Sequence, residues 1–201
     1  MQQDLQLTYL MCSRLCHDLA APLSAISIGL DMLPESPDSD DPEGPQKILQ
    51  YSIKSAMNKL ELLRCLSGYT DSPEKPTFTD AVRIVNKSID LEKFQIDWLC
   101  RIEDIIPGNA VRLIVAIIII AIDALPRGGK IVIHPDFSIE LTGSYVKLNE
   151  EVITSLTGNT QEDVKSSRGV IAHLAHLLSN DLGTKVTYTQ PKPNLLIFKF
   201  S

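Results

Sequence analysis

No cluster of lysine and arginine occurs anywhere in this 201-residue sequence, whose formal net charge is −6. A face that binds nucleic-acid phosphates needs clustered cations, so this charge and a pI near 5.2 argue against a nucleic-acid partner. No apolar run is long enough to span a bilayer. The longest, Leu113 to Ile122, is ended by Asp123 and falls far short of the ~20 residues required; it predicts a buried helix. The first residues, MQQDLQLTYL, carry neither the basic start nor the apolar stretch of a secretion signal, and the expected location is the cytoplasm. The four cysteines, Cys12, Cys16, Cys65 and Cys100, form no CxxC pair and are expected to be free thiols. Cys12 and Cys16 followed by His17 stand one residue wider than the haem-attachment spacing and lie in a helical stretch. Neither haem nor a metal is expected there.

What the chain does have is hydrophobic periodicity. At 44% hydrophobic residues it can bury a sizeable core. From about Asp4 to Leu33, apolar residues recur at Leu15, Leu19, Leu23, Ile26, Leu30 and Leu33, the spacing of one helical stripe. The proline-rich, acidic segment Pro34 to Pro45 breaks that helix. A second helix follows from about Gln46 to Tyr69, with Leu49, Ile53, Ala56, Met57, Leu60, Leu63 and Leu66 on one side. Two helices cannot bury both stripes alone, so pairing with a second copy into a four-helix bundle is expected.

The stretch Thr70 to Pro76 reads as a boundary, dividing the chain into a helical hairpin over 1–72 and a second domain over 77–201. In the second domain the pattern predicts helices over Thr79–Asp90, Asn109–Leu125 and Gly169–Asn180. Strands are predicted over Phe94–Cys100, Lys130–His134, Ser138–Leu141, Tyr145–Leu148, Lys185–Thr189 and Leu195–Phe200, with a turn over Pro191–Asn194. The fold class is therefore α+β, a hairpin plus helices packed on one face of a mixed sheet.

The strongest local signal is His17-Asp18-Leu19-Ala20-Ala21-Pro22-Leu23. At about 100° per residue, His17 lies roughly 165° from the centre of the leucine stripe and should face solvent. Small side chains surround it where an exposed helix usually carries Glu and Lys, and Ser13, Ala20, Ala21, Pro22, Ser24 and Ile28 are the expected docking residues for a partner. Phosphoryl transfer needs a nucleophile, nearby positive charge and little water. Neutral imidazole suits the first need, Asp18 can hold its tautomer or accept its proton, and Arg14 can supply charge. Pro22 removes the amide that would bond back to Asp18 and predicts a bend just past His17. The other histidines read as structural: His173 and His176 sit among apolar residues of one helix, and His134 ends a strand. Trp98 reads as core.

These residues resemble the H-box of two-component signalling proteins, H-[DE]-L-x-x-P-L. The longer run from Leu15 to Leu33 resembles the ChpT type of histidine phosphotransferase, matching its pattern at His17, Asp18, Leu19, Pro22, Ala25, Ile26, Gly29 and Leu30, with Asp31 in place of Glu. The resemblance extends to Ala124-Leu125-Pro126-Arg127-Gly128-Gly129 and to the order of elements, so it covers nearly the whole chain. It also accounts for Gly29, which helix propensity does not.

The resemblance implies a dimeric H-box hairpin joined to a degenerate histidine-kinase-like ATPase domain, with His17 relaying a phosphoryl group between receiver aspartates. It implies a hybrid histidine kinase and response regulators of cell-cycle control as partners, Mg²⁺ on the partner receiver, and no cofactor on this chain. An ATP-dependent sensor kinase shares the H-box but carries an Asn for Mg²⁺ on the helix before the first glycine turn, and glycine-rich nucleotide loops. The helix Leu113 to Ala124 has no Asn, unless Asp123 substitutes from another register. Around Thr142-Gly143-Ser144, Thr157-Gly158-Asn159 and Ser167-Arg168-Gly169 the glycines are isolated. The kinase and a non-catalytic dimeric scaffold stand as the alternatives.

Overall fold

The computed structural model describes residues 2–33, 44–68, 77–158 and 166–201. In chain order they form α1 (Gln2–Asp31), α2 (Gly44–Ser67), α3 (Phe78–Ser88), β1 (Phe94–Trp98), α4 (Gly108–Ala124), β2 (Gly129–Ile133), β3 (Ile139–Thr142), α5 (Glu150–Thr157), α6 (Ser167–Asp181), β4 (Val186–Lys192) and β5 (Leu195–Phe200). Residues 34–43 of the proline-rich segment, Tyr69 at the end of the expected second helix, the boundary stretch Thr70–Pro76, and Asn159 lie outside the described residues.

The five strands form one sheet in the order β1-β2-β3-β5-β4. β1 and β2 are parallel, joined by α4 as the crossover, and every other pairing is antiparallel. The register sets Ile131 beside Leu141, Ile133 beside Ile139, and Ile139 and Leu141 beside Phe198 and Leu196. All six are buried, so they form the sheet face under the helices. The opposite face carries charge, with Lys130 Nζ 2.7 Å from Asp97 Oδ2. Among the described residues helices cover one face only, which makes the second part of the chain a two-layer α+β sandwich. α4 lies at its centre, buried continuously from Leu113 to Ala121, as its apolar run requires.

The hairpin is built onto this core. Cys65 and Leu66 of α2 are fully buried within the same apolar cluster as α4, and Leu7, Leu10 and Met11 of α1 pack against it. Arg112 of α4 ties down the end of α2: its Nε donates to the Leu66 carbonyl at 2.8 Å and its Nη2 to the Ser67 carbonyl at 3.1 Å. These are carbonyls that a helix C-terminus leaves without partners. Farther out, α1 and α2 approach closely at Gly29, where a β-carbon would stand 3.0 Å from Leu49 Cδ2. Close helix contact is the physical reason for a buried glycine inside α1.

Two expectations are corrected. Tyr145 to Leu148 is not a strand. Val146 and Leu148 are buried and Tyr145 is exposed, as alternation requires, but the Lys147 amide donates to the Ala124 carbonyl at 3.0 Å instead of joining a ladder. The helix α5 follows immediately and was not anticipated, because Val152, Ile153 and Thr154 are poor helix formers. Capping outweighs propensity there: Asn149 accepts from the Glu151 amide at 3.1 Å, and Gly158 ends the helix in the left-handed conformation at φ 69°. β4 also runs on through Pro191 to Lys192, past the anticipated turn, with an irregularity in its pairing between Thr189 and Lys192 that accommodates the proline.

Candidate functional site

α1 carries His17 outward, with 75% of its side chain exposed. Its Nδ1 lies 3.1 Å from Asp18 Oδ1. A carboxylate can only accept, so this contact selects the tautomer with hydrogen on Nδ1 and leaves the Nε2 lone pair directed away from Asp18. The second oxygen of Asp18 is also engaged: Arg14 Nε donates to Oδ2 at 2.7 Å, one helical turn earlier on α1. Arg14 Nη1 reaches in addition to Asp123 Oδ2 of α4 at 3.4 Å. Burial alone would lower the Arg14 pKa, but Asp123 and Asp18 together outweigh it and hold the pKa above its ordinary value. Arg14, with 12% of its side chain exposed, is a clamp on Asp18 rather than a free cation.

Pro22 leaves the Asp18 carbonyl without its usual helical donor. The structure supplies another: Lys59 Nζ of α2 donates to that carbonyl at 3.2 Å. α1 therefore runs unbroken through Pro22, and an ammonium group is held beside the H-box. No feature of the sequence singles out Lys59, because the register between α1 and α2 cannot be read from periodicity alone.

Of the expected docking residues, Ser13, Ala20, Ala21, Ser24 and Ile28 are exposed, and Ile28 is 56% accessible. They form a smooth surface of small side chains around His17. Pro22 is the exception: it is buried and offers no docking surface. Five residues carry the helix about 140° around its axis, which puts Pro22 on the side away from His17.

Asp123 also lines an open cleft with Pro126, Tyr145, Lys147 and Glu150. The Arg127 guanidinium stands over the Tyr145 ring, 5.7 Å from its centroid. The remaining histidines make structural contacts. His176 pairs through Nδ1 with the Leu156 carbonyl and through Nε2 with Asn180. The pKa of His173 is lowered, first by burial and then by His176. His134 Nε2 lies 3.6 Å from Glu140. Trp98 packs edge-on against Phe78, and its Nε1 donates to Asn86. All four cysteines are free thiols, Cys12 and Cys16 exposed on α1 and Cys65 and Cys100 buried. Among the described residues no group of three or more potential ligands could hold a metal ion, and no helix is long and apolar enough to cross a membrane.

Comparison with known proteins matches residues 78–194 to the family model described as the histidine phosphotransferase C-terminal domain. Over 192 residues the chain is 27% identical to the protein phosphotransferase ChpT of Brucella abortus (strain 2308), covering 91% of this chain and 90% of that protein. Its fold matches a solved structure described as a bacterial phosphotransferase, with a TM-score of 0.82 and 22% identity, over 98% of this chain and 96% of that one.

Proposed function

Since the chain belongs to the histidine phosphotransferase family, we propose that it relays a phosphoryl group between receiver-domain aspartates through His17, without binding ATP. The observation that carries this reading is the geometry of His17: an exposed imidazole whose Nδ1 is held by Asp18 and whose Nε2 is directed away from it. Nε2 attacks the phosphorus of an aspartyl phosphate on a docked receiver. The N–P bond forms, the P–O bond breaks, and the aspartate leaves as a carboxylate. The ring keeps its Nδ1 proton and becomes cationic, and the negative charge of Asp18 stabilises that cation without any proton transfer. Reversal of these steps hands the group to the aspartate of a second receiver. Mg²⁺ and both aspartates belong to the receivers, and this chain contributes orientation and charge, the two things such a transfer demands of a protein.

Independence from ATP is supported by the second domain. α4 has no Asn between Leu113 and Ala124, and Asp123, the candidate replacement, is paired with Arg14. The isolated glycines have packing duties: Gly158 caps α5, and a β-carbon at Gly143 would lie 2.8 Å from Leu125 Cδ2. The hairpin leaves an apolar face open, with Leu23 56%, Leu30 55%, Ile53 47% and Met57 66% accessible. A second copy of the chain is the occupant that fits, closing a four-helix bundle as helix packing requires.

A purified receiver carrying phosphoryl-aspartate tests the relay. The expected result is transfer of acid-labile label to this chain and none to His17→Ala. An active His17→Ala variant would overturn the reading, and saturable ATP binding in a calorimeter would replace it with the kinase alternative.

A further inference from the structure

We propose that Lys59 of α2 is a positioning residue for transfer at His17: it splints α1 across Pro22 and so keeps the docking face around His17 continuous. This rests on His17 being the phosphoryl acceptor and on a receiver docking on that face. Pro22 weakens α1 in two ways, since it has no amide for the Asp18 carbonyl and its ring crowds that same oxygen. Helix bends of more than about 20° occur at such prolines. α1 is nevertheless one helix from Gln2 to Asp31. Lys59 Nζ donates to the Asp18 carbonyl at 3.2 Å, so a neighbouring helix replaces the missing donor.

Two contacts between α1 and α2 bracket the proline. Asp18, held by Lys59, lies about one turn before it, and Gly29, where a β-carbon would stand 3.0 Å from Leu49, lies about two turns after it. From Asp18 to Gly29 on α1, and from Lys59 back to Leu49 on α2, the helices advance about 15–16 Å each. α2 therefore runs alongside α1 through the weak turn. Lys59 is half-buried and, among the described residues, makes no ion pair; a carbonyl is what its ammonium serves. The docking residues lie on both sides of the proline, with Ser13, Ala20 and Ala21 before it and Ser24 and Ile28 after it, all exposed. Ile28 stands about 9 Å beyond Pro22 along the axis, so a bend of about 20° would shift it by about 3 Å. Side chains in contact lie within about 4.5 Å, so a partner seated over His17 would lose the far part of the face.

The test is Lys59→Met in the full chain, with two phosphoryl donors. A phosphorylated receiver needs the whole face. Phosphoramidate, a small donor, needs only the ring: the bond from the imidazole nitrogen to phosphorus forms, the donor's own P–N bond breaks, and ammonia leaves. The expected result is a half-saturating receiver concentration raised about tenfold, with phosphoramidate labelling of His17 within about twofold of the unaltered chain. Lys59→Arg should restore receiver use, and so should Lys59→Met combined with Pro22→Ala, which returns an amide to the Asp18 carbonyl. An unchanged half-saturating concentration in Lys59→Met overturns the proposal, and so does equal slowing with both donors, the mark of a merely structural loss. If Lys59→Met alone fails to fold, the double variant must fold and use receivers normally; its failure also overturns the proposal. Amide hydrogen exchange from Leu23 to Ile26, just past the proline, should quicken in Lys59→Met, and unchanged exchange overturns the splint. A receiver that never labels the unaltered chain would overturn the relay itself, while the exchange rates would still decide whether Lys59 holds the turn.

Discussion

Replacing Asp18 with asparagine preserves the shape of the side chain and removes its charge, and the structure sets the size of the effect. The bond from His17 Nδ1 is solvent-screened, since 75% of the His17 side chain is exposed. Losing the charge there is worth about 1 kcal/mol, less than the 2–3 kcal/mol of a buried charge-assisted bond. Arg14, far more buried, loses its pairing with Asp18 at the same time, which adds about 1 kcal/mol and loosens the ring further. Together these slow phosphoryl transfer roughly tenfold to thirtyfold, because each 1.36 kcal/mol is tenfold in rate. Rapid-quench measurement of label passing from a phosphorylated receiver to excess protein gives the rate directly. Asp18→Asn that stays folded and transfers within about twofold of the unaltered chain would refute the claim that Asp18 orients and charges the imidazole.

Three further outcomes are expected. Lys59→Met strips the Asp18 carbonyl of its donor beside Pro22, costing about 1–2 kcal/mol in thermal or denaturant unfolding; Lys59→Arg should recover most of it. Gly29→Val forces a side chain against Leu49, where even a β-carbon has only 3.0 Å, and should lower stability by roughly 1–3 kcal/mol despite the better helix propensity of valine. His173 has its folded-state pKa held below the ordinary 6.5 by burial and by His176, so the unfolded chain binds that proton more tightly. Its contribution is fully present above the unfolded value and is lost as pH falls through 6.5 toward the folded one. The drop in unfolding temperature between about pH 7 and about pH 5 should therefore be smaller in His173→Gln than in the unaltered chain.

Much of this arrangement is legible in the sequence where one physical signal dominates. The stripe of α1 places His17 opposite the leucines, and the exposure of its side chain agrees. The unbroken apolar run of α4 announces a central helix, and it is one. Legibility fails where neighbours decide. Tyr145 to Leu148 alternates like a strand but finds no ladder, because its backbone is claimed by Ala124. α5 is a helix by virtue of Asn149, Gly158 and its packing on α6, against the propensity of its β-branched residues. Closeness in sequence groups Pro22 with the docking residues, but the helical angle places it inward. Within the site, His17, Asp18 and Arg14 could be named from one helix. Lys59 and Asp123 could not, since they reach the H-box from α2 and α4, and long-range register leaves no periodic trace.

The leucine stripe also shows what a single chain leaves incomplete. Leu15, Leu19 and Ile26 are half-buried, while Leu23, Leu30 and Leu33 remain exposed beside Ile53, Met57 and Leu60 of α2. Leu15 and Leu19 are half-covered at the end nearer the second domain and Leu30 and Leu33 are exposed at the far end, with Leu23 exposed and Ile26 half-covered between them.

The central claim is that the Nε2 atom of His17 carries the phosphoryl group, and ³¹P and ¹⁵N spectra of the chain labelled by a phosphorylated receiver test it most directly. One phosphorus on Nε2 of His17, with the Nδ1 proton retained, is the predicted result. Phosphorus on Nδ1, on Ser13 or Ser24 of the same face, or on no residue of this chain would contradict it.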